Sequence, residues 1–229
     1  MKLVLTCEHA FNTIPQEYKH LFEGAEEVLG SHRGYDPGAF DLFSLLSELA
    51  NFSQAQKTAR LLVEVNRSVG HQNLFSEFTE ELISEEKEKL LKEHYFPYRN
   101  SVEKKIAELI KKGEEVWHLS VHSFTPQLKG ETRNADIGLL YDPSRKMEKK
   151  ISADFKRLLQ EEIPALKIRY NYPYLGKADG FTTYLRKKFP KQYAGIELEV
   201  NQKFTENNRF PKGLKSAVLR SVREILENK

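Results

Sequence analysis

With a single cysteine, Cys7, this 229-residue chain can form no internal disulfide, so its fold rests on burial and hydrogen bonding without covalent staples. It also lacks any apolar run approaching the ~20 residues that span a bilayer. The apolar run at its N-terminus is short and carries no cleavage pattern of a secretory signal. An excess of one charge is missing too. The chain has 36 Lys and Arg against 33 Asp and Glu, a net charge of +3, and both signs alternate along apparent helix faces. Such a pattern reads as a solvated surface, and without an aromatic-studded basic motif it points away from nucleic acid. No internal repeat, low-complexity tract or long linker divides the sequence. These absences predict one domain over 1–229, in a reducing cytoplasmic setting, with no membrane partner and no feature that marks a particular oligomer.

What is present is alternation. Apolar runs typical of buried strands recur at residues 3–6, 58–65, 116–121, 137–141 and 193–200. Helical patterns occupy 37–51, 84–112 with a break expected near Phe96-Pro97, 144–160 and 212–227. Ser84 ahead of Glu85 and Glu86 reads as an N-cap with acids in the first turn, and Gly113 as the stop. Alternation of this kind predicts an α/β fold whose mostly parallel sheet is covered by helices on both faces. Residues 70–78 and 171–179 are irregular and rich in turn formers, as loops over a site often are.

Two histidines, His9 and His122, each directly follow one of the strand-like runs. Reactive groups gather at the carboxyl ends of parallel strands, so imidazoles delivered from two of them are candidates for a shared metal site. Glu64, read as the end of a third strand, is a candidate partner for fixing the His9 tautomer. The plainer alternative for His9 is a strand-end histidine bonded to backbone. Arg67, in Glu64-Val65-Asn66-Arg67, has the chemistry to clamp a carboxylate or steady an oxyanion, or is simply a surface arginine. Asp36, just before Pro37, is either a helix N-cap with proline at the first helical position or an oxygen ligand, and His32 is ambiguous in the same way. Glu197 and Glu199 alternate with Ile196, Leu198 and Val200 and so share one face of a strand. They are either a source of general base or the wet face of an edge strand. His118 is expected as a buried strand residue, His20, His71 and His94 as surface groups, and Cys7 as an inert buried thiol.

Taken together, these segments resemble the N-formylglutamate amidohydrolase family. The matching pieces are Glu8-His9-Ala10-Phe11-Asn12 with Ile14-Pro15, His32 through Asp36 with Gly38-Ala39, Asn66-Arg67, and Pro97-Tyr98. They continue in the family's order with His122-Ser123-Phe124-Thr125-Pro126, Arg133 with Ile137-Gly138, Asn171 with Pro173-Tyr174, and Glu199-Val200-Asn201-Gln202. The resemblance implies a three-layer αβα, zinc carboxypeptidase-like (phosphorylase/hydrolase-like) fold with a mixed, mostly parallel sheet. It also implies a zinc-dependent amidohydrolase for a small N-acyl amino acid, with N-formyl-L-glutamate as reference substrate. Carried over position by position, it makes His9 and His122 metal ligands and Glu199 the general base. Arg67 becomes the substrate or oxyanion contact, with Asn66 alongside and Arg133 a second anionic contact. One position departs: carboxypeptidases take their metal carboxylate three residues after the first histidine, and here that residue is Asn12. A neutral amide is a poor zinc ligand, so Asp36 or, alternatively, Glu8 would replace it, with Asp36 preferred. Two other readings remain on this fold, a carboxypeptidase-like enzyme trimming peptide or peptidoglycan, and a non-catalytic binding protein that has lost its metal.

Overall fold

The computed structural model describes residues 1–228. From the N-terminus, β1 (Lys2–Cys7) leads through a 3-10 segment to α1 (Glu26–Gly30), α2 (Ala39–Leu46) and β2 (Phe52–Ala55). Then come α3 (Ser84–Leu90), α4 (Phe96–Lys111), β3 (Val116–Phe124), and the small hairpin of β4 (Gln127–Leu128) and β5 (Glu131–Thr132). The chain closes with β6 (Ile137–Leu140), α5 (Lys146–Glu162), β7 (Ile168–Tyr170), α6 (Phe181–Lys188), β8 (Tyr193–Asn201) and α7 (Lys212–Glu227). Six strands form one sheet in the order β2-β1-β3-β8-β6-β7. All neighbours are parallel except β6 against β8, so the sheet is mixed and mostly parallel, as expected.

Alternation along the strands assigns the two faces. Leu3 and Leu5 of β1, Trp117, Leu119 and Val121 of β3, and Ile196, Leu198 and Val200 of β8 enter one core with α2, α5 and α7. On the opposite face Val4, Val116 and Tyr193 meet α4 and α6. That second face changes character along the strands. It is apolar where the strands begin, then passes through Thr6, His118 and Ser120 to Glu8, His122 and Glu199, all buried. His118 is bonded to Thr6 Oγ1 (2.8 Å) and Tyr193 Oη (2.7 Å), and burial pushes it down to about 4, so it is a neutral structural histidine. β8 lies inside the sheet between β3 and β6, which overturns the edge-strand alternative for Glu197 and Glu199.

Four expectations need correction. Residues 58–65 are not a strand; β1 pairs instead with β2, while the predicted segment runs as turns whose amides bond to other loops, Ala59 N to Thr13 O among them. Its leucines and valines are buried in side cores, which gave the run its strand-like look. Ser84 is the first residue of α3 and caps nothing with its side chain, the cap position being Ile83. The break near Pro97 is a π turn, Leu91–Tyr95, that joins α3 to α4 and accommodates the proline's missing N–H and ring. Helix α2 begins at Ala39, not at Pro37, because Gly38 ahead of it has φ +83° and lies against the Phe210 ring. No helix of the described residues is long and apolar enough to cross a membrane.

Candidate active site and metal centre

Because α2 starts late, Asp36 is released from capping. Its amide donates to the His9 carbonyl (2.9 Å), and Ser123 Oγ donates to the Pro37 carbonyl (2.7 Å), which pins this loop across the ends of β1 and β3. The Asp36 carboxylate thereby reaches both histidines. Asp36 Oδ2 lies 3.2 Å from His9 Nδ1 and 2.9 Å from His122 Nδ1, and accepts from Ser123 N at 3.3 Å. His9, Asp36 and His122, all buried, thus form a group of donor atoms lying within 4.8 Å of one another.

Each imidazole is held from behind. His9 Nε2 donates to Glu64 Oε1 (2.7 Å), the partner anticipated from the sequence although Glu64 lies in a loop. His122 Nε2 meets Ser120 Oγ (2.8 Å) and Glu8 Oε2 (3.2 Å), while Tyr98 Oη donates to Glu8 Oε1 (3.1 Å). With the Nε2 protons held from behind, it is the Nδ1 atoms that would give up their protons to a metal, and two imidazoles plus one carboxylate, backed by carboxylates, are a donor set that suits zinc. Glu8 therefore stands behind His122, and Asn12 points away, its side chain donating to Leu29 O.

Arg60, which the sequence reading passed over, closes the cluster. Its Nε donates to Glu64 Oε2 (2.8 Å), and Nη1 lies 3.6 Å from Asp36 Oδ1. The signal was present, since Arg60 and Glu64 are four apart in a run otherwise nearly all apolar. Burial would raise the Glu64 and Asp36 carboxyls, but Arg60 and His9 for the first, and both histidines for the second, hold them well below the usual range. Burial would likewise raise Glu8, yet the hydrogen bond and charge of His122 keep it at about 2. In turn burial lowers both imidazoles, Arg60 adding to this at His9, and the surrounding carboxylates outweigh it, so both titrate above the ordinary histidine value.

Glu199 stands apart from this web. It is the register partner of His122 across the β3–β8 ladder, and its Oε2 is buried with no hydrogen-bond partner among the described residues. Burial pushes its carboxyl up to about 7. On its other side lies Gly138 of β6, where a Cβ would stand 3.2 Å from the Glu199 Cβ and 1.9 Å from the Tyr172 carbonyl, so only glycine admits the 171–179 loop so close.

These groups open onto a cleft of about 320 Å³ whose lining includes His9, Asp36, His122, Glu199, Arg67 and Asn66. Residues Tyr174, Leu175, Ala178 and Asp179 supply one wall, so the 171–179 loop does lie over the site. The 70–78 stretch lies behind it, with the Leu74 carbonyl accepting from Glu64 N (2.9 Å). Arg67 projects from a loop, half-buried, and Nη1 donates to the Asp179 carbonyl. Asn66 Oδ1 accepts from Phe181 N (2.8 Å) at the start of α6. His32 is exposed at the rim. Arg133 is outside the lining; its guanidinium lies over the rings of Phe124 (5.9 Å) and Tyr174 (5.1 Å). His20 is exposed, His71 and His94 are half-buried away from the cleft, and Cys7 is buried with its thiol pushed up by burial.

The profile of the N-formylglutamate amidohydrolase family matches residues 1–205. Among solved structures, a gene product of Agrobacterium tumefaciens is 27% identical with a TM-score of 0.81, the alignment covering 99% of this chain and 89% of that one. The N-formylglutamate amidohydrolase of Ralstonia eutropha JMP134 is 16% identical with a TM-score of 0.73, over 100% of this chain and 95% of that one, a likeness of fold. No curated protein matches the sequence.

Proposed function

The chain belongs to the N-formylglutamate amidohydrolase family, and from that premise we propose that it hydrolyses the amide bond of a small N-acyl amino acid with a divalent cation, zinc first, held by His9, Asp36 and His122. One observation carries this reading. Two imidazole Nδ1 atoms converge on one carboxylate oxygen, beside a buried carboxylate oxygen, Glu199 Oε2, that has no partner of its own. When bound, the cation supplies an acidified water and a Lewis acid toward the amide carbonyl.

The residues of the chain do the rest. Glu199 Oε2, held at a value near neutrality, takes the proton of the attacking water and passes it to the departing nitrogen. Arg67 clamps the substrate carboxylate or steadies the developing oxyanion, and Asn66 fixes the loop that carries it. Glu64 and Glu8 hold the two imidazoles in the tautomer that leaves Nδ1 free. A cleft of about 320 Å³ suits a small acylamino acid better than a polymer. N-formyl-L-glutamate, cleaved to formate and glutamate, is the first substrate to assay.

The test is reconstitution of metal-free protein with zinc. About one zinc per chain is expected for wild type and much less for His122→Ala, with hydrolysis confined to the loaded wild type. Absence of stoichiometric zinc together with absence of hydrolysis would put a non-catalytic binding protein ahead.

A further inference from the structure

Glu197 is a cleft carboxylate to which the proposed chemistry gives no task. It shares the face of β8 with Glu199, is half-buried, lines the cleft, and accepts one hydrogen bond, from Thr182 Oγ1 (2.6 Å). Arg67 and Asn66 reach the same stretch of chain: Arg67 donates to the Asp179 carbonyl, and Asn66 accepts from Phe181 N. The start of α6 therefore sets the Arg67 guanidinium and the Glu197 carboxylate in one region of the cleft wall.

The neighbouring charges are already engaged. Arg60 is paired with Glu64 and Asp36. Asp179 accepts from Ser68 N (2.9 Å) and Ser68 Oγ (2.6 Å). Arg133 lies over two rings that line the cleft, Phe124 and Tyr174, and donates to the Tyr174 hydroxyl (3.2 Å). Among the described residues neither Arg67 nor Glu197 makes an ion pair, so the recognition wall offers one cation and one anion without counter-charges.

We propose that this pair selects a zwitterionic substrate, an N-acylated diamino acid whose carboxylate meets Arg67 and whose ammonium or guanidinium meets Glu197. This rests on the amidohydrolase reading and names its substrate class. A half-buried carboxylate without a counter-ion gains a charge-assisted hydrogen bond from a substrate cation. A second substrate carboxylate, as in an acylated glutamate, meets like charge at Glu197.

The experiment compares kcat/KM of zinc-loaded wild type and Glu197→Gln on Nα-formyl-L-lysine, N-formyl-L-glutamate and, as a neutral reference, N-formyl-L-leucine. Alongside it, calorimetry reads the binding of Nα-acetyl-L-lysine and N-acetyl-L-glutamate to both proteins. Wild type is expected to favour the lysine compound over the glutamate one by roughly tenfold or more. Glu197→Gln should erase that advantage and leave the leucine compound within a few-fold. Equal rates or a glutamate preference in wild type overturn the inference, and so does a Glu197→Gln loss shared equally by all three substrates, which marks a structural role. If no acylamino acid is cleaved, the amidohydrolase reading falls and binding decides. Tighter binding of the lysine ligand that depends on Glu197 upholds the substrate class, and equal binding overturns it.

Discussion

His122 and Glu199 are register partners in the parallel ladder of β3 and β8, yet their side chains do different work. His122 commits both ring nitrogens, to Asp36 on one side and to Ser120 and Glu8 on the other, whereas Glu199 Oε2 is left unpaired. Strand register alone thus sets the proposed metal-holding group and the proposed proton-moving group side by side.

That separation makes Glu199→Gln the sharpest variant. It should bind zinc with wild-type stoichiometry while kcat falls by about two orders of magnitude or more. Metal analysis and rate measured on the same sample check it, and full activity would remove Glu199 from the mechanism.

Glu64→Gln should act one step further out. Glu64 positions His9 and pairs with Arg60, so its loss is expected to weaken zinc affinity by about 10- to 100-fold. A competition titration against a chelator reads this directly, and rates at saturating zinc should recover most of the deficit.

Activity should rise with pH through an acidic limb set by Glu199. Its folded value is raised to about 7 by burial, so the base is ionised only above that, and a bound dication would draw the limb lower. A pH profile of kcat in the presence of saturating zinc tests it, and the limb should vanish in Glu199→Gln.

Stability of the metal-free chain should follow a different curve. Glu8, Asp36 and Glu64 are depressed, Glu8 to about 2, so what they lend is present above the ordinary carboxylate range and lost as pH falls through the folded values. His9, His122 and Glu199 are raised, so their favourable protonation is lost as pH rises. The highest melting temperature of metal-free protein is therefore expected between roughly pH 4 and pH 6. Zinc, which displaces imidazole protons, should move that optimum upward. Melts across this range, with and without zinc, decide the matter.

Gly38→Ala should harm the metal centre from outside it. The added Cβ would lie 2.8 Å from the Phe210 ring at a φ of +83°, a conformation that costs a non-glycine residue about 1–3 kcal/mol. Since Gly38 sets where α2 starts, Asp36 should lose its alignment. Lower stability with weaker zinc binding is the expected result, measured by denaturant titration and metal competition.

Much of this was legible in the chain. His9 could be placed just past the end of β1 because that strand is apolar and buried on both faces, whereas β3, nine residues long, runs on past His122 to Phe124 instead of ending at it. Glu64 was found as the His9 partner for a partly wrong reason, since its apolar neighbours are buried by loops and small cores and not by a sheet. Asp36 was ambiguous because Asp-Pro is a standard helix start, and only the left-handed Gly38 two residues later resolves it. Strand β7 and helix α6 went unread, the first having three residues and the second ending in a run of basic side chains that blurs its apolar face. The two rings that hold the Arg133 guanidinium beside the cleft, Phe124 and Tyr174, are distant from it in sequence or separated from it by several elements, so its setting could not be read from the chain.

The first turn of α6 has one more consequence. Asn66, Arg67 and Glu197 all hang on residues 179–182, while the three candidate metal ligands are fastened to β1, β3 and the loop before α2. The two sets meet at Glu64, whose Oε1 accepts from both His9 Nε2 (2.7 Å) and the Asn66 amide (2.9 Å). A change in that one helical turn therefore reaches the proposed recognition side chains directly and the proposed metal ligands only through Glu64.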